Sequence, residues 1–434
     1  MEFFKKFLYT CFFISFLCSM NVWFSWNKAS RYINVALAIF IVISIVAGKI
    51  KLELNARNVI SFLLLAFAFF TYNFSFTNFN ALIHLACALI TFWVIISLNT
   101  QDKSDCLNFI TKWFTILMVP SLLLWLLNWF VPLPSFGTVK IDNEFQYYLP
   151  YENHILFLKA SIWSYGFRFT GPFLEPGHLG MMSAFLLYAN KFNFKDKRLI
   201  CILVVLLFTL SLAGYMLAII GYCFNKIVYD RKFMIRFVCV VVVLIPILSF
   251  STSYKGGHNF LNEMIIQRLQ YDEEVGFTGN NRVFGEIDEY YDFLLSSSQY
   301  FWTGFDEKTI KWLAEERDSR GTGFVMFVVR YGFLGLIIVS LFYIFYAASA
   351  KRKKYALVYL LFVCFVFWQR SYPFWTSWLI CYVWGISTYD SLNYKPGDIS
   401  RDDSNRLGGR KRRYTPDDIV KLRRQIMKGK IKRR

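Results

Sequence analysis

The chain has 434 residues, of which 56% are hydrophobic, 20% are aromatic and only 18% are charged. Soluble globular proteins carry about 25% charged residues. The apolar residues of this chain fall in runs of about 18 or more, and a helix of that length spans a bilayer core of roughly 30 Å. Composition therefore excludes an ordinary soluble domain and favours one integral membrane domain. The net charge of +19 fits a membrane protein whose basic loops lie on one side.

Apolar spans follow one another from the N-terminus almost to the C-terminus. Two lysines precede the first span, and no small-residue cleavage site follows it, so we interpret it as a retained signal anchor. The sequence predicts an all-α, polytopic transmembrane bundle of about 12 helices. The predicted spans are 7–26, 32–48, 58–76, 80–98, 113–133, 176–190, 199–211, 213–228, 234–251, 321–349, 355–370 and 373–389.

The stretch 199–228 decides the topology, because it is long for one helix and short for two. Cytoplasmic loops of bacterial membrane proteins are rich in lysine and arginine. With the N-terminus inside and two short helices joined at 211–214, most of the 48 basic residues lie in cytoplasmic segments. With a single helix, the acidic segment 252–320 faces the cytoplasm instead. We therefore predict two helices, with both termini in the cytoplasm of a bacterium and the spans in its inner membrane.

Two long loops are predicted on the external side, at 134–175 and 252–320. The second is far longer than an ordinary connection, and a long ordered loop is more often functional than a linker. Apolar residues from Val283 to Leu295 repeat at helical spacing. Asp306 is placed to cap a further helix that runs through Leu313. The membrane domain, with these loops, is predicted to extend over residues 1–389.

The tail at 390–434 is strongly basic. Thr415, Pro416 and two aspartates form a typical helix start, and apolar residues then share one face among basic neighbours. Anionic lipid headgroups are one expected partner of such a helix. A solvated, cytoplasmic topology signal is the equal alternative. The tail is too short for a nucleic-acid recognition fold, and no nucleic-acid partner is expected.

The segment 168–180 concentrates polar chemistry where an external loop re-enters the membrane. It contains Arg168, Glu175 and His178 among glycines and prolines. Arginine binds diphosphate oxygens in a bidentate manner, and Glu175 or His178 is able to accept a proton from a sugar hydroxyl. The alternative is a tight turn that an Arg168–Glu175 pair holds. Charges at a membrane edge are costly and tend to be functional.

Four more arginines are candidate phosphate ligands. Arg330 interrupts an apolar run and is expected to face the bundle interior, as a phosphate ligand or in a structural pair. Arg370 is predicted at the outer end of a helical hairpin, where snorkelling to the interface is the alternative. Arg282 shares a helical face with nearby glutamates, and surface ion pairing is its alternative. Arg268 is the weakest of the set.

Metal and nucleotide chemistry find no sequence support. The nine cysteines include no Cys-x-x-Cys pair, and the four histidines have no metal-ligand spacing. His84 lies within an apolar span, where packing is its expected role. We find no glycine-rich phosphate loop. No metal and no cofactor are therefore expected.

The pattern resembles the Wzy-type polysaccharide polymerases, in the superfamily that they share with O-antigen ligases. The resemblance covers about residues 160–390. Four features carry it: the segment 168–180, the helix junction 210–215, the external loop with Arg282 and then 301–305, and the glycine-rich span 321–336.

This resemblance implies a bundle similar to C-type glycosyltransferases and a metal-independent polymerase. Its substrates would be oligosaccharide repeat units on undecaprenyl diphosphate, at the outer leaflet, for O-antigen, capsule or exopolysaccharide. Arg168 and Arg282 match the diphosphate-binding arginines. A flippase and a chain-length regulator are the protein partners that the family implies. The ligase branch and many of the polymerases carry a His-Asn pair near the position where this chain has 319–322. The missing histidine argues against a ligase and leaves the general base open.

Two other functions fit part of the sequence pattern. A transporter or flippase for lipid-linked sugars fits the number of spans, but the two halves show no internal repeat, and the acidic external loop is large for a transporter. A C-type glycosyltransferase of another branch would place acidic catalytic residues in its first external loop. Here that loop covers only about 27–31.

Overall fold

A computed structural model describes residues 2–73, 79–141, 150–160, 167–229, 286–317, 319–321 and 323–391, with single residues and short pairs between 250 and 284. Residues Met1–Ser391 form one compact unit. The basic tail, including its predicted helix, lies outside the described residues.

The protein is mostly helical. The helices are α1 (Glu2–Ser19), α2 (Lys28–Gly48), α3 (Ala56–Asn73), α4 (Phe79–Ser97), α5 (Thr100–Leu127), α6 (Pro176–Ala189), α7 (Lys197–Phe208), α8 (Leu212–Tyr229), α9 (Ile287–Ser296), α10 (Ser298–Thr303), α11 (Glu307–Glu316), α12 (Phe324–Ala348), α13 (Lys353–Gln369), α14 (Thr376–Leu379) and α15 (Gly385–Ser391). The strands are β1 (Thr138–Val139), β2 (Tyr151–Asn153), β3 (Leu158–Ala160), β4 (Tyr271–Asp272), β5 (Gly276–Phe277), β6 (Val283–Phe284) and β7 (Arg320–Gly321).

Helices occupy every predicted apolar span except 234–251, which lies outside the described residues. Among the described residues, three helical segments are long and apolar enough to cross a membrane: Ala29–Gly48, Thr100–Leu127 and Phe324–Ala348. Further apolar helices are shorter, among them Leu82–Ser97 and Leu212–Ile227. The helical class is thus confirmed, whereas the number of membrane crossings stays a prediction.

The predicted break within 199–228 is present. The first helix, α7, ends at Phe208, and α8 begins at Leu212. Between them Leu210 has a positive φ of 47°, a conformation that cannot continue a helix. The hydroxyl of Thr209 donates to the carbonyl of Leu206 at 2.7 Å, and the Ser211 hydroxyl accepts from the amide of Gly214 at 3.2 Å. Local hydrogen bonds therefore satisfy the backbone at this junction.

One end of the bundle, which we call the charged end, gathers the starts of α1, α3 and α5 and the ends of α12 and α15. Lys5 pairs with Asp102 at 2.8 Å, and Arg57 pairs with Asp390 at 3.1 Å. A second nitrogen of Arg57 donates to the carbonyl of Tyr346 at 3.1 Å. Ion pairs therefore join helices that are far apart in sequence.

The opposite end, which we call the loop end, gathers the end of α1, the start of α6 and the connection between α13 and α14. The amide of Leu174 donates to the carbonyl of Asn21 at 3.1 Å, and Val22 forms an isolated bridge with Phe173. The amide of Ser377 donates to the hydroxyl of Ser19 at 3.0 Å. Strands β1, β2 and β3 form a small antiparallel sheet in the same loop region, a feature that the all-α prediction did not include.

Helix α6 is the centre of the core, because every one of its residues is buried. Small residues permit this close packing. A Cβ atom added at Gly214 would lie 3.0 Å from the backbone of Gly180, so α8 crosses α6 at nearly backbone contact. A helix apolar on all sides is expected in such a position.

The three helices that follow β6 pack on α12. Asp306 caps α11 as predicted and accepts from the amide of Thr309 at 2.9 Å. Hydrogen bonds from the side chain and the backbone of Thr309 lower the pKa of Asp306. Val283 and Phe284, predicted within a helix, instead form β6 and pair with β7. Their apolar spacing fits a helix equally well, but the pairing with 320–321 determines the local structure.

Two glycines allow the layer formed by α9, α10 and α11 to contact α12 through backbone atoms. Gly332 has a φ of +63° and interrupts the regular geometry of α12. A Cβ atom at Gly332 would lie 2.3 Å from the carbonyl oxygen of Trp302, and one at Gly304 would lie 2.7 Å from the carbonyl group of Arg330. Side chains would separate the two segments, so glycine is required here.

The last helical segment contains a π-helical turn, Ile380–Trp384, between α14 and α15. Such a turn adds a residue to the helix. Tyrosine hydroxyls from neighbouring helices bind backbone carbonyls within it. Tyr359 donates to Cys381 at 2.7 Å, and Tyr346 donates to Val383 at 3.3 Å.

Candidate functional site

Glu175 stands at the N-cap of α6, immediately before Pro176 at the first helical position. Its own backbone is extended, and its side chain does not cap the helix. The carboxylate is therefore directed away from the backbone amides of α6 and pairs with Arg370 through Oε2 and Nη2. The local sequence thus fixes the start of the helix, and the arginine fixes the direction of the acidic side chain.

Arg370 ends α13 and is almost completely buried. Its side chain is 5% exposed, whereas that of Glu175 is 32% exposed. The same guanidinium donates from Nη1 to the Tyr372 hydroxyl at 3.5 Å. A Cβ atom at Gly177 would lie 2.6 Å from Arg370 Nη2, so the missing side chain makes room for the guanidinium.

The charge of Arg370 is held by its surroundings. The Glu175 carboxylate and the Tyr372 hydroxyl both contact the guanidinium, and these contacts offset the cost of burying its charge. A buried arginine without such a partner would be strongly destabilising. Glu175 and Arg370 therefore act as one unit, with the acidic member toward the open side.

His178 lies one turn further into α6 and is completely buried. Its ring contacts Trp375 edge-on, with the centroids 5.1 Å apart, and Tyr372 at 5.7 Å. The rings of Tyr372 and Trp375 stack in parallel at 4.0 Å. Of the two predicted proton acceptors, only Glu175 has a partly exposed side chain.

Arg168 contacts the junction between α7 and α8. Its Nε donates to the carbonyl of Thr209 at 3.2 Å. The junction also touches α6, because a Cβ atom at Gly180 would lie 3.1 Å from Thr209 Oγ1. Arg168 is thereby linked to the helix that carries Glu175, whereas the carboxylate itself pairs with Arg370.

Arg330 lies on α12, beside the glycine kink. Its guanidinium carbon is 5.3 Å from the ring centroid of Tyr331. That ring packs on Tyr72 at 4.2 Å, and Tyr72 packs on Phe374 at 5.3 Å. A continuous row of aromatic rings thus extends from Arg330 to the connection that follows Arg370.

The remaining predicted ligands, Arg268 and Arg282, lie outside the described residues. Glu286, which the sequence paired with Arg282, is 3.5 Å from Arg317 in an ion pair at the surface. The structure thus brings Glu175, His178 and Arg370 together. Arg168 contacts the junction that touches α6, and Arg330 is linked through aromatic rings to Phe374. Convergence of all the predicted arginines on one cavity stays a prediction.

Sequence reasoning missed Gly177, Tyr372 and Trp375. The signal was available in part, since tyrosine, proline, phenylalanine and tryptophan follow Arg370 and its serine neighbour directly. Aromatic residues are common at membrane interfaces, so the pattern alone did not distinguish a site from an interfacial anchor.

The cluster offers a partly exposed carboxylate against a buried, permanent positive charge. A carboxylate in this setting binds hydroxyl groups and accepts protons, and the guanidinium binds phosphate oxygens when the carboxylate gives way. Within the described ranges, no group of three or more histidine, cysteine or acidic residues is arranged to hold a metal ion. No protein-family profile matches the chain, and no curated protein shows significant sequence similarity to it.

Proposed function

We propose that this protein is a polymerase of oligosaccharide repeat units carried on a polyprenyl diphosphate. In this proposal it is a multi-pass protein of the bacterial inner membrane and works at the outer leaflet, with both termini in the cytoplasm. The observation that carries the proposal is the Glu175–Arg370 pair at the loop end. The resemblance to Wzy-type polymerases supplies the substrate class.

The chemistry is an inverting glycosyl transfer. The acceptor hydroxyl oxygen attacks the anomeric carbon of the donor sugar as the bond from that carbon to the diphosphate oxygen breaks. Polyprenyl diphosphate leaves with the electron pair, and Glu175 takes the hydroxyl proton. A positioned carboxylate base contributes about 10²–10⁴-fold to such a step.

Arg370 couples substrate binding to this proton transfer. An opposite charge in contact makes a carboxylate a poorer proton acceptor. When the diphosphate occupies the guanidinium of Arg370, Glu175 is released and becomes a stronger base. Arg168 and Arg330 supply further positive charge for the leaving group, as Arg268 and Arg282 do in the sequence-based hypothesis.

The test is the variant Glu175→Gln, assayed by polysaccharide length and normalised to membrane-protein level. We expect long chains to fall by about 100-fold or more while single lipid-linked units accumulate at the outer leaflet. The control is Glu152→Gln, which alters a half-exposed carboxylate on β2. Normal chain length in Glu175→Gln would contradict the proposal. Units confined to the inner leaflet would indicate a flippase instead.

A second variant separates catalysis from folding. Glu175→Gln leaves a buried guanidinium without its charged partner, so protein level falls for that reason alone. The double variant Glu175→Gln with Arg370→Met removes both charges and replaces them with a neutral pair, which restores the protein level. Activity per molecule should stay low. Recovery of activity together with protein level would show that the pair is only structural.

A further inference from the structure

A separate cavity of about 490 Å³ lies at the loop end, between the last turns of α1, the start of α2, the helix α4 and residues 374–376. This volume falls in the range of roughly 300–1,000 Å³ that small-molecule sites occupy. The walls come from helices that do not carry the Glu175–Arg370 pair, apart from the connection that follows Arg370. The cavity is thus a neighbour of the candidate site.

Half of the lining side chains are polar, although the surrounding helices are apolar. Arg31 and His84 line it together with hydroxyl and amide side chains that include Ser15, Asn34 and Thr91. No acidic side chain is among the lining residues that the structure describes. An arginine and a histidine without an acidic neighbour favour an anionic ligand, and the hydroxyl and amide groups suit a ligand with many hydroxyls.

Aromatic rings complete the wall. Phe374 and Trp375 line the cavity, and flat rings of this kind provide an apolar surface with a defined orientation. Trp375 also stacks on Tyr372 at 4.0 Å, and the Tyr372 hydroxyl accepts from Arg370. Trp375 is therefore a shared wall between the cavity and the Glu175–Arg370 pair.

The connection that bears Trp375 is fixed to α1. The Ser19 hydroxyl, which also lines the cavity, accepts from the amide of Ser377 and donates to the carbonyl of Phe16 at 2.8 Å. The aromatic wall thus has a defined position relative to the polar wall of α1. A site prepared in this way binds a ligand without first ordering its own walls.

We propose that this cavity binds an acidic sugar residue of the glycan, with Arg31 and His84 facing its carboxylate or phosphate and Trp375 against its ring. This inference rests on the proposed polymerase function, for which it names a sugar subsite next to the reacting groups. This subsite selects acidic repeat units over neutral ones.

The experiment measures binding of trigalacturonate to the purified full-length protein in detergent by calorimetry, with maltotriose as the neutral probe. We expect millimolar or tighter binding of trigalacturonate and much weaker binding of maltotriose. Arg31→Gln should weaken trigalacturonate binding by about ten-fold, the loss expected for roughly 1.4 kcal/mol of charge-assisted hydrogen bonding. His84→Gln should weaken it to a smaller degree.

The matched control is Lys49→Gln, which removes one positive charge from the opposite end of α2 and should leave binding unchanged. Equal affinity for both probes, no binding of trigalacturonate, or full binding in Arg31→Gln would overturn the proposal. Displacement of the sugar by inorganic phosphate or phosphatidylglycerol vesicles at lower concentration than trigalacturonate would identify a phosphate or lipid site instead. Turnover is not required, so a failure of the polymerase proposal appears separately, in the Glu175→Gln assay.

Discussion

The two ends of the bundle each contain an arginine–carboxylate pair, and the pairs are arranged in opposite senses. At the charged end the buried partner is Asp390, 7% exposed, and Arg57 is 22% exposed. At the loop end the buried partner is Arg370, 5% exposed, and Glu175 is 32% exposed. The charged end thus encloses its carboxylate, whereas the loop end presents one to incoming molecules.

The contacts around the arginines explain this difference. Arg57 also donates to the carbonyl of Tyr346, and its guanidinium carbon lies 4.3 Å from the centroid of the Tyr346 ring. Asp390 accepts from the amide of Arg352 at 3.1 Å. These bonds connect three helices and the N-cap of a fourth, and they suit a structural role. A pair whose acidic member is the more exposed one is better suited to chemistry.

The largest expected effect concerns which end faces outward. Reporter fusions at Asp288, in the layer on α12, and at Gly397, in the basic tail, should give opposite, all-or-none signals. The physical reason is the excess of lysine and arginine in the segments that we place in the cytoplasm. Activity of a periplasm-dependent reporter at Asp288 alone is the expected result. Matching signals from both positions would refute the predicted topology.

The second expected effect separates Arg330, which a row of aromatic rings links to the loop end, from Arg57 at the charged end. Arg330→Ala should reduce long-chain polysaccharide by about 100-fold at normal protein level, because a charge-assisted bond of roughly 2–3 kcal/mol to phosphate is lost. Arg330→Lys keeps the charge without the bidentate geometry and should lose only part of the activity. The assay is polysaccharide length on a gel, normalised to membrane-protein level.

Arg57→Ala is the matched control for this experiment. It leaves Asp390 buried without its partner, at a cost of about 3 kcal/mol, so the protein level should fall while activity per molecule stays near normal. Reversal of the two outcomes would remove the functional distinction between the ends. A loss of protein level in both variants would assign a structural role to Arg330 as well.

The smallest effect compares two glycines. Gly177→Ala places a methyl group 2.6 Å from Arg370 Nη2, and Gly48→Ala places one 2.8 Å from Phe4 Cβ. The first should shift the guanidinium and lower activity by about ten-fold, since a small misplacement at a reacting site is costly. The second should lower the melting temperature with little change in activity per molecule. Thermal unfolding and chain length on the same preparations distinguish them.

Sequence reasoning located the helices well, because long apolar runs carry their own signal. It also predicted the break near 211 and the capping role of Asp306. The sequence did not predict the partner of Glu175. Arg168 is the nearest arginine along the chain, but the true partner, Arg370, lies 195 residues away. That pairing depends on how α6 and α13 pack, which no local pattern encodes.

The strand at Val283 and Phe284 illustrates the same limit on a smaller scale. Their apolar spacing continues into α9 and fits a helix, so periodicity assigns them to it. Their bonds are instead made with residues 320–321, beyond three intervening helices. Tertiary pairing here determines local structure against the local pattern.

The π-helical turn at Ile380–Trp384 also sets a limit on how this chain can change in evolution. Loss of one residue within the turn would restore α-helical winding, and because the turn holds one extra residue, α15 would keep its orientation and Asp390 would still face Arg57. The tyrosines at 346 and 359 would lose the carbonyl positions that they bind. Loss of one residue from the regular helix on either side would instead rotate α15 by about 100° and separate Asp390 from Arg57. Within this helical segment, the π turn is therefore the place where a one-residue deletion disturbs the charged end least.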